Sequence, residues 1–378
     1  MTKPVGIADF ALISVLDRHP ATTAQLKHSL GADAVVVAGN VNNPSGTKAE
    51  VEAHLAIGRT VLLHLPHSHP KIRREMSRLA HTHGALSVVL AFEEADIDPV
   101  EKHDVVHALS GQAVDGLTIF RERMPNDLRH ISGGIDFIGD IHGCADELAE
   151  LLVTLGHATL TDDGNVLLQH HAEGRLVALV GDLTDRGPKN LATLYLAHQL
   201  HQQFGAIVVL GNHDFKLMRW LRGAKVRVAA GLARTIEELE TLSQTERDQM
   251  AEWLGSLHMH YVLDQGRVVI AHAGLAEQFH GRKSKAADSF ALFGDKTDQV
   301  DGDGIPIIRD WAKNYQGAAT VVHGHVVTPE PRVLNNVVSI DTGCVFGGKL
   351  TAFRYPEREF VSVAAHAKHF QSHGREIA

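Results

Sequence analysis

The sequence predicts an α/β protein built from two domains. Short apolar runs alternate with helical patterns along most of the chain, which is typical of parallel sheets covered by helices. A length of 378 residues with 44% hydrophobic content is more than one ordinary core needs. Residues 121–134 form a polar stretch that contains a proline and ends in two glycines, as linkers between domains do. We therefore expect one domain at residues 1–125, a second at residues 133–365 and a C-terminal tail at residues 366–378.

Within the first region, apolar runs predict four buried strands at residues 10–16, 33–39, 59–65 and 85–92. An amphipathic pattern at residues 69–84 predicts a helix between the third and fourth strands. Two parallel strands need a crossover between them, and a helix is the usual one. The alternation therefore predicts a parallel sheet.

Composition and charge exclude several classes of protein. No apolar run approaches the roughly 20 residues that a membrane-spanning helix needs, and the N-terminus lacks the pattern of a secretory signal. Two cysteines, Cys144 and Cys344, form no disulfide framework, so we expect a cytoplasmic protein, without a membrane partner, in which both thiols pack in the interior. A net charge of −9 argues against nucleic-acid binding through a global basic field. The net charge does not argue against a local basic groove, and residues 123–129 and 221–234 are the candidates for one.

The second region repeats one pattern, in which a strand-like run ends in a polar side chain, usually one that can bind a metal ion. In open α/β sheets, the carboxyl ends of the strands form the edge at which ligands bind. Any one of these side chains has an ordinary explanation as a turn residue or a buried histidine, but turn chemistry explains six such ends together poorly. The six ends carry Asp140, Asp182, Asn212 with His213, His272, His323 with His325, and Asp341.

The mixture of ligand types indicates the kind of metal site. Aspartate, histidine and asparagine without cysteine suit Mn, Fe, Zn or Ni. Six ligands are too many for one catalytic ion that keeps open positions, but they fit two ions about 3.5–4 Å apart that share a carboxylate. Such a pair lowers the pKa of a bridging water and holds a tetrahedral phosphorus. The sequence therefore predicts a two-metal hydrolytic site.

Five short motifs in this region resemble those of the calcineurin-like metallophosphoesterases. The resemblance implies a sandwich of two β-sheets flanked by helices, with the metal ions bound by the motifs. Longer stretches at residues 215–240 and 321–363 closely resemble the phosphatase module of bacterial polynucleotide kinase-phosphatase. The five motifs are GDIHG (139–143), GDLTDRG (181–187), GNHD (211–214), HAG (272–274) and HGH (323–325).

Carried over residue by residue, the resemblance implies which side chains bind each ion. Asp140 and His142 would bind the first ion, and Asp182 would bridge both. Some members of the superfamily have a further histidine where this chain has Val327, so the first ion should have fewer protein ligands and more water. His323 lies next to a ligand and is expected to have a structural role. The second ion would be bound by Asn212, His272 and His325.

The same resemblance implies the catalytic residues. His213 would be the general acid at the leaving oxygen, and Asp185 would orient its ring. Arg186 would hold phosphate oxygens through its planar guanidinium. Asp341, in the sequence IDTG, matches a functionally important position of the family.

The resemblance also implies that a P-loop kinase precedes the phosphatase. Here the first strand continues into DRHPATTAQLK (17–27), which lacks the glycines and the lysine of GxxxxGK[ST]. We therefore expect a degenerate kinase-like α/β domain that does not bind ATP.

These features predict a metal-dependent phosphoesterase that hydrolyses phosphomonoesters by attack of a metal-bridging hydroxide. Two divalent ions are expected, with manganese favoured and nickel, iron or zinc as alternatives. RNA ends with a 2′,3′-cyclic, 2′- or 3′-phosphate are the favoured substrates. The alternatives are a serine/threonine phosphoprotein phosphatase or a dinucleoside tetraphosphatase, and then a non-catalytic regulatory protein, against which the complete ligand set argues. A homodimer stays open, and the acidic residues 294–304 are expected to form a solvated loop.

Overall fold

The chain forms two compact units in the computed structural model. Unit 1 comprises residues 1–127 and 281–288, and unit 2 comprises residues 128–280 and 289–378. The division after Asp127 lies inside the polar stretch 121–134. The structure describes residues 5–8, 10–17, 20–30, 34–40, 42–56, 58–65, 70–92, 101–109, 119–163, 165–300 and 306–371.

Unit 1 is built on a five-stranded parallel sheet with the strand order β3-β4-β2-β5-β6. A separate parallel pair joins β1 to β7. The four strands and the helix predicted in this region are confirmed, with ends that differ by at most two residues. The strands are β1 (Val5–Ala8), β2 (Ala11–Leu16), β3 (Val35–Ala38), β4 (Val61–Leu65), β5 (Leu86–Ala91), β6 (Val105–Ala108) and β7 (Ile119–Glu122). The helices are α1 (Pro20–Leu30), α2 (Pro44–Ala56) and α3 (Pro70–Thr82).

The connection from β2 to α1 is too short for a P-loop. β2 ends at Leu16 and α1 begins at Pro20, so only residues 17–19 join them. The GxxxxGK[ST] loop needs eight residues to surround phosphates with backbone N–H groups. In addition, the Thr22 hydroxyl donates to the carboxylate of Asp17, which places an acidic group at the start of the helix. Phosphates are repelled by such a group, because both carry negative charge.

Unit 2 contains two larger sheets and most of the helices. Among the described helices, none is long and apolar enough to cross a membrane. The strands are β8 (Asp127–Leu128), β9 (Ile135–Ile138), β10 (Ala158–Leu160), β11 (Val166–Leu168), β12 (Leu176–Leu179), β13 (Ile207–Val208), β14 (His260–Leu263), β15 (Val268–Ala271), β16 (Asp295–Val300), β17 (Pro306–Arg309), β18 (Thr320–His323), β19 (Arg332–Leu334), β20 (Val337–Ser339), β21 (Lys349–Tyr355) and β22 (Glu359–Ala364). The helices are α4 (Ala145–Leu155), α5 (Asn190–Phe204), α6 (Asn212–Leu221), α7 (Ala230–Leu239), α8 (Gln244–Ser256) and α9 (Lys285–Phe293), of which α9 begins in unit 1.

The two sheets pack face to face. Their strand orders are β13-β12-β9-β21-β22 and β19-β20-β18-β15-β14-β8. Phe137 and Ala178 of the first sheet share one buried cluster with Ile270, Val322 and Val338 of the second. Helices α4 and α5 cover the outer face of the first sheet with apolar side chains. The expected sandwich of two sheets flanked by helices is therefore confirmed.

Parallel pairing places the ends of the central strands together. β9, β12 and β13 are mutually parallel in the first sheet. β15, β18 and β20 are parallel in the second. The carboxyl ends of parallel neighbours lie at one edge of their sheet, and these six ends carry the polar residues singled out in the sequence.

Residues 295–300 are wrongly predicted as loop, because they form β16. This strand pairs antiparallel with β17, with an irregular register between Lys296 and Val300. An acidic, glycine-containing composition is typical of turns, but a hairpin of two short strands can satisfy the backbone while charged side chains face solvent. Residues 301–305 of the predicted loop lie outside the described residues.

The C-terminal segment, residues 366–371, is held against unit 2 by hydrogen bonds. The backbone N–H of His366 donates to Glu147 Oε1 at 2.9 Å. The N–H groups of His369 and Phe370 both donate to the carbonyl of Val345, at 3.1 and 3.0 Å. This part of the predicted tail therefore has a defined position on the fold.

Candidate metal centre

The predicted ligands converge around Asp182, which follows β12. His142 Nε2 lies 3.4 Å from one carboxylate oxygen of Asp182, and His272 Nε2 lies 3.4 Å from the other. His272 Nε2 is also 2.8 Å from Asn212 Oδ1 and 3.1 Å from His325 Nδ1. Asp182 thus has one group of potential ligands on each side, as a carboxylate shared by two ions would require.

Two of the histidines are oriented by backbone carbonyls. The Nδ1 of His142 lies 2.8 Å from the carbonyl oxygen of Thr184, and the Nδ1 of His272 lies 3.1 Å from that of Val180. When Nδ1–H donates to a carbonyl, Nε2 carries the lone pair that binds a metal. Both Nε2 atoms face Asp182, so their rings are already set in the orientation of metal ligands.

Three buried carboxylates face one another at the same place. Burial, together with the charges of Asp341 and Asp182, raises the pKa of Asp140 well above its usual range. Burial likewise raises the pKa of Asp341 to about 6. Burial would also raise the pKa of Asp182, but four nearby histidines, with His272 first, outweigh it and hold that pKa below its usual range. Such a concentration of buried negative charge needs cations, and the oxygen and imidazole donors fit divalent metal ions.

The backbone is strained at this site. A left-handed conformation is rare for residues with a Cβ, and it persists only where the surrounding structure enforces it. Five of the ten non-glycine residues with positive φ among the described residues are predicted site residues. They are His142 (φ 47°), Asp182 (48°), Asp185 (74°), Arg186 (74°) and His325 (70°).

Two motif glycines allow the chain to approach the carboxylates closely. A Cβ at Gly324, between the two histidines of HGH, would overlap the carboxylate of Asp140. A Cβ at Gly211, in GNHD, would overlap Asp182. These contacts explain why the strand ends that carry the ligands are bounded by glycine.

His213 begins a chain of side-chain hydrogen bonds next to the ligands. Its Nδ1 lies 2.6 Å from Asp185 Oδ2, and the other oxygen of Asp185 accepts a bond from the Thr235 hydroxyl at 2.7 Å. The backbone N–H of His213 donates to Asp182 Oδ1 at 2.9 Å. The ring is therefore fixed beside the Asp182 carboxylate, and within the described part of the chain no hydrogen bond of its Nε2 occurs, which is the geometry that a general acid requires. No pattern in the sequence predicts Thr235 as a site residue, because it lies in α7, far along the chain from Asp185.

Asp214 is a second residue that was not singled out, although it belongs to the GNHD motif. Its carboxylate accepts the backbone N–H groups of Leu183 at 2.9 Å and Gly211 at 3.0 Å. It is fully buried, and burial together with Asp182 raises its pKa well above the usual range. Asp214 therefore joins the turn after β12 to the start of α6.

Arg186 lies at the open side of the centre. Its Nη1 is 2.7 Å from His142 Nε2, and its guanidinium lies over the ring of Phe346 at 5.4 Å. An arginine beside buried carboxylates is well placed to hold the oxygens of a phosphate, because its planar donors match them in pairs.

Other residues of interest lie outside the ligand cluster. The Nδ1 of His323 lies 2.9 Å from the carbonyl oxygen of Gly324, its ring lies 5.7 Å from that of Trp311, and burial lowers its pKa to about 4. Cys144 and Cys344 are both buried. The carbonyl of Arg129 accepts the N–H of Gln265, which lies before β15 and so at the end of that strand opposite to the metal ligands. Arg129 therefore does not line this site.

Comparisons with known proteins identify the family. A family model described as calcineurin-like phosphoesterase matches residues 134–329. Three relatives carry the name bis(5′-nucleosyl)-tetraphosphatase PrpE (asymmetrical). The protein from Geobacillus sp. strain WCH70 is 45% identical over 233 residues, which are 61% of this chain and 93% of that protein. The protein from Oceanobacillus iheyensis is 43% identical over 235 residues, 61% of this chain and 92% of that protein. The protein from Bacillus subtilis strain 168 is 42% identical over 246 residues, 64% of this chain and 99% of that protein.

These names correct one expectation from the sequence. The finer resemblance, to the phosphatase of polynucleotide kinase-phosphatase, is replaced by similarity to proteins named as tetraphosphatases, which was one of the alternatives. The resemblance at the level of the superfamily is confirmed, and with it the class of enzyme. The chain is a hydrolase of the calcineurin-like phosphoesterase family.

Proposed function

We propose that this enzyme hydrolyses dinucleoside tetraphosphates asymmetrically, giving a nucleoside triphosphate and a nucleoside monophosphate. The observation that carries the proposal is the ligand cluster around Asp182, in a part of the chain that is 45% identical to a protein named for this reaction. The phosphoesterase chemistry follows from the family, whereas the choice of substrate rests on the names of the relatives.

We assign the ligands as the sequence predicted. Asp140 and His142 would hold one divalent ion, and Asp182 would serve both. Manganese is the favoured ion, since borderline-hard donors without cysteine suit it. Asp341 receives a backbone hydrogen bond from Gly343 at 3.1 Å and lies beside Asp140, so we assign it to positioning that ligand. The second ion would be held by Asn212, His272 and His325.

The chain's own groups support hydrolysis of a phosphoanhydride. When bound, the two ions supply water that is deprotonated at neutral pH and compensate charge on the phosphoryl oxygens. Arg186 orients the phosphate under attack. The water oxygen forms a bond to phosphorus, the bond from phosphorus to the leaving oxygen breaks, and His213 donates a hydrogen bond to that oxygen. A phosphate leaving group departs as an anion, and a more basic alkoxide takes the proton of His213 as it leaves. Asp185 holds the His213 ring in the orientation that this transfer requires.

A substrate panel tests the proposal. The purified full chain is assayed with Ap4A, RNA carrying a 2′,3′-cyclic phosphate, a phosphoserine peptide and p-nitrophenyl phosphate, each with Mn, Ni, Zn and Mg. We expect Ap4A to have the highest kcat/KM and to give ATP and AMP in equal amounts. Two molecules of ADP as the product, or faster turnover of RNA or the peptide, would reject the proposed function.

Hydrolysis of RNA ends is the second candidate, and one observation favours it. The basic stretch 221–234 reaches the site, because Arg234 Nη1 donates to the carbonyl of Arg186 at 2.8 Å. If RNA is the substrate, KM for an oligonucleotide should rise with salt as phosphate contacts are screened. The double variant Arg222→Glu, Lys225→Glu should then weaken oligonucleotide turnover and spare Ap4A.

For unit 1 we propose a kinase-derived scaffold that no longer binds ATP. The three-residue connection between β2 and α1, with the Asp17 carboxylate at the helix start, supports this proposal.

A further inference from the structure

We propose that the cavity beside His213 binds the leaving nucleotide of the substrate, with Lys216 on its phosphate and Phe370 on its base; this inference rests on the proposed function. The cavity has a volume of about 300 Å³. That volume lies at the lower end of the range for small-molecule sites. Its walls include His213, Arg186, Lys216, Ala230, Leu232 and Phe370.

The position of the cavity relates it to the leaving group. His213, the residue assigned to protonate the leaving oxygen, forms part of its wall. Asp185, which holds the His213 ring, also lines the cavity. A leaving oxygen that accepts a hydrogen bond from His213 must lie on the His213 side of the metal centre. The group that occupies the cavity is therefore the leaving group.

Lys216 supplies positive charge that the protein itself does not neutralise. It lies three residues after His213 in α6, so the two side chains are on the same face of the helix. The Lys216 side chain is half-buried, and no hydrogen bond or ion pair of it occurs within the described part of the chain. A half-buried ammonium without a protein partner is suited to bind an anion, and a second phosphate group is the anion that a dinucleoside polyphosphate brings to this position.

Phe370 supplies a fixed aromatic wall. Its backbone N–H donates to the Val345 carbonyl at 3.0 Å. Its ring contacts Phe346 with a centroid distance of 6.5 Å, and the guanidinium of Arg234 lies 5.9 Å from its centroid. The ring is half-buried and borders the cavity. It is therefore held in place before any ligand arrives, which reduces the entropy lost on binding.

The C-terminal segment is anchored at His369, next to this ring. His369 Nε2 lies 3.1 Å from Glu147 Oε1, and Arg234 Nη1 donates to the His369 carbonyl at 3.2 Å. Glu147 is itself buried at the start of α4. These bonds position Phe370, so the segment contributes to specificity although it lies beyond the five motifs of the phosphoesterase.

The chemistry of the walls defines the class of ligand. Lys216 and Arg186 supply charged donors, which suit phosphate oxygens. Ala230, Leu232 and the Phe370 ring supply apolar surface, which suits a nucleobase. A phosphoprotein would place neither a second phosphate nor a base here, so the charged and apolar walls together indicate a nucleotide.

The test compares a nucleotide with its phosphate chain alone. ATP and inorganic tripolyphosphate are measured as inhibitors of p-nitrophenyl phosphate hydrolysis by the full chain, with manganese in excess. Lys216→Met should raise the Ki of both inhibitors roughly tenfold, because both lose a charged contact. Phe370→Ala should raise the Ki of ATP roughly 5- to 150-fold through lost stacking, and leave that of tripolyphosphate unchanged.

Two variants serve as matched controls. Lys313→Met removes an exposed lysine, and Tyr195→Ala removes an aromatic ring that is 45% exposed on α5. Neither residue lines the cavity, so neither Ki should change. Manganese content and urea unfolding of each variant show that it is folded and loaded.

The outcomes separate this inference from the proposed function. If the wild-type enzyme hydrolyses Ap4A but Lys216→Met or Phe370→Ala leaves the Ki of ATP unchanged, the cavity is not the nucleotide site and the proposed function stands. An equal rise in both Ki values on Phe370→Ala rejects the contact between ring and base. If the wild-type enzyme does not hydrolyse Ap4A, the proposed function fails, and the assignment of the cavity to its leaving group fails with it.

Discussion

Replacing His213 by glutamine should affect substrates according to how much their leaving groups need a proton. His213 lies with Nδ1 2.6 Å from Asp185, and its backbone N–H, which glutamine retains, bonds to Asp182. The variant therefore removes the proton donor while keeping the backbone contact to the bridging carboxylate. General acid catalysis is typically worth about 10²–10⁴-fold in rate. This corresponds to roughly 2.7–5.4 kcal/mol of transition-state stabilisation at 1.36 kcal/mol per factor of ten.

The full loss should appear only for a poor leaving group. An alkoxide, such as the one released from β-glycerophosphate, must be protonated as it departs. A phosphate that leaves from an anhydride has a pKa of about 6 and departs as an anion near neutral pH. We therefore expect His213→Gln to lower kcat on β-glycerophosphate by about 10²–10⁴-fold. On Ap4A and p-nitrophenyl phosphate, the loss should stay within roughly tenfold, since little protonation is needed.

The assay measures kcat on the three substrates at saturating manganese, together with metal content by mass spectrometry. Asp185→Asn is the companion variant, because it leaves the His213 ring in place but removes the charged partner that orients this ring. It should show the same order of substrates with smaller losses. Equal losses on all three substrates would refute the role of His213 as an acid. His213 also forms a group with His142 and Asp182 that could hold an ion, so loss of one manganese from His213→Gln would identify it as a ligand instead.

Three further outcomes are expected. Asp182→Ala should remove bound metal and nearly all activity. It should lower activity more than His142→Ala does, because Asp182 is assigned to both ions and His142 to one. A crystal structure of an active Asp182→Ala variant with two bound ions would contradict the assignment. Arg175→Met should lower the free energy of unfolding in urea by about 1.5–3 kcal/mol, since it removes charged hydrogen bonds from the buried carboxylate of Asp136, which keeps His157 and Arg354 as partners. Arg309→Met, in an exposed pair, should change it little. Burial opposes ionisation of Asp136, but hydrogen bonds from histidine and arginine hold its pKa below the usual range. The stability that Asp136 contributes is therefore present above its unfolded pKa of about 3.9. The difference in unfolding free energy between the wild-type protein and Arg175→Met should shrink as the pH falls below that value. The full chain should transfer no labelled phosphate from ATP to a 5′-hydroxyl oligonucleotide, and measurable transfer would show that unit 1 is a kinase after all.

Local patterns were enough to predict the strands that carry the metal ligands. The runs before Asp182 and His272 are continuously apolar, as strands buried on both faces are, and the run before Asp140 is apolar apart from Asp136. Each is followed within a few residues by glycine. Both signals depend on neighbours in the chain. The same reasoning was wrong at residues 295–300, because the antiparallel pairing of this polar strand with β17 depends on a partner that local composition does not reveal.

The identity of the substrate was harder to predict from the sequence than the chemistry of the reaction. Metal ligands and the general acid belong to short motifs, whereas the groups that surround a leaving nucleotide come from elements that share no motif. Lys216 gave no signal except its spacing from His213, and Phe370 lies in what the sequence suggested was a tail. The sequence therefore favoured RNA ends, and the relatives favour a dinucleoside tetraphosphate.

By itself, the sequence determined the α/β class, the six strand ends and the metal-capable side chains on them, because apolar periodicity and glycine turns act over a few residues. The tertiary structure alone decided which distant groups complete the site. Thr235 bonds to Asp185 because α7 packs beside the turn after β12, and Phe370 reaches the cavity because Glu147 and Val345 hold the C-terminal segment there. Contacts of this kind depend on how helices and sheets pack in three dimensions, and packing is a property of the whole chain that no short stretch of sequence contains.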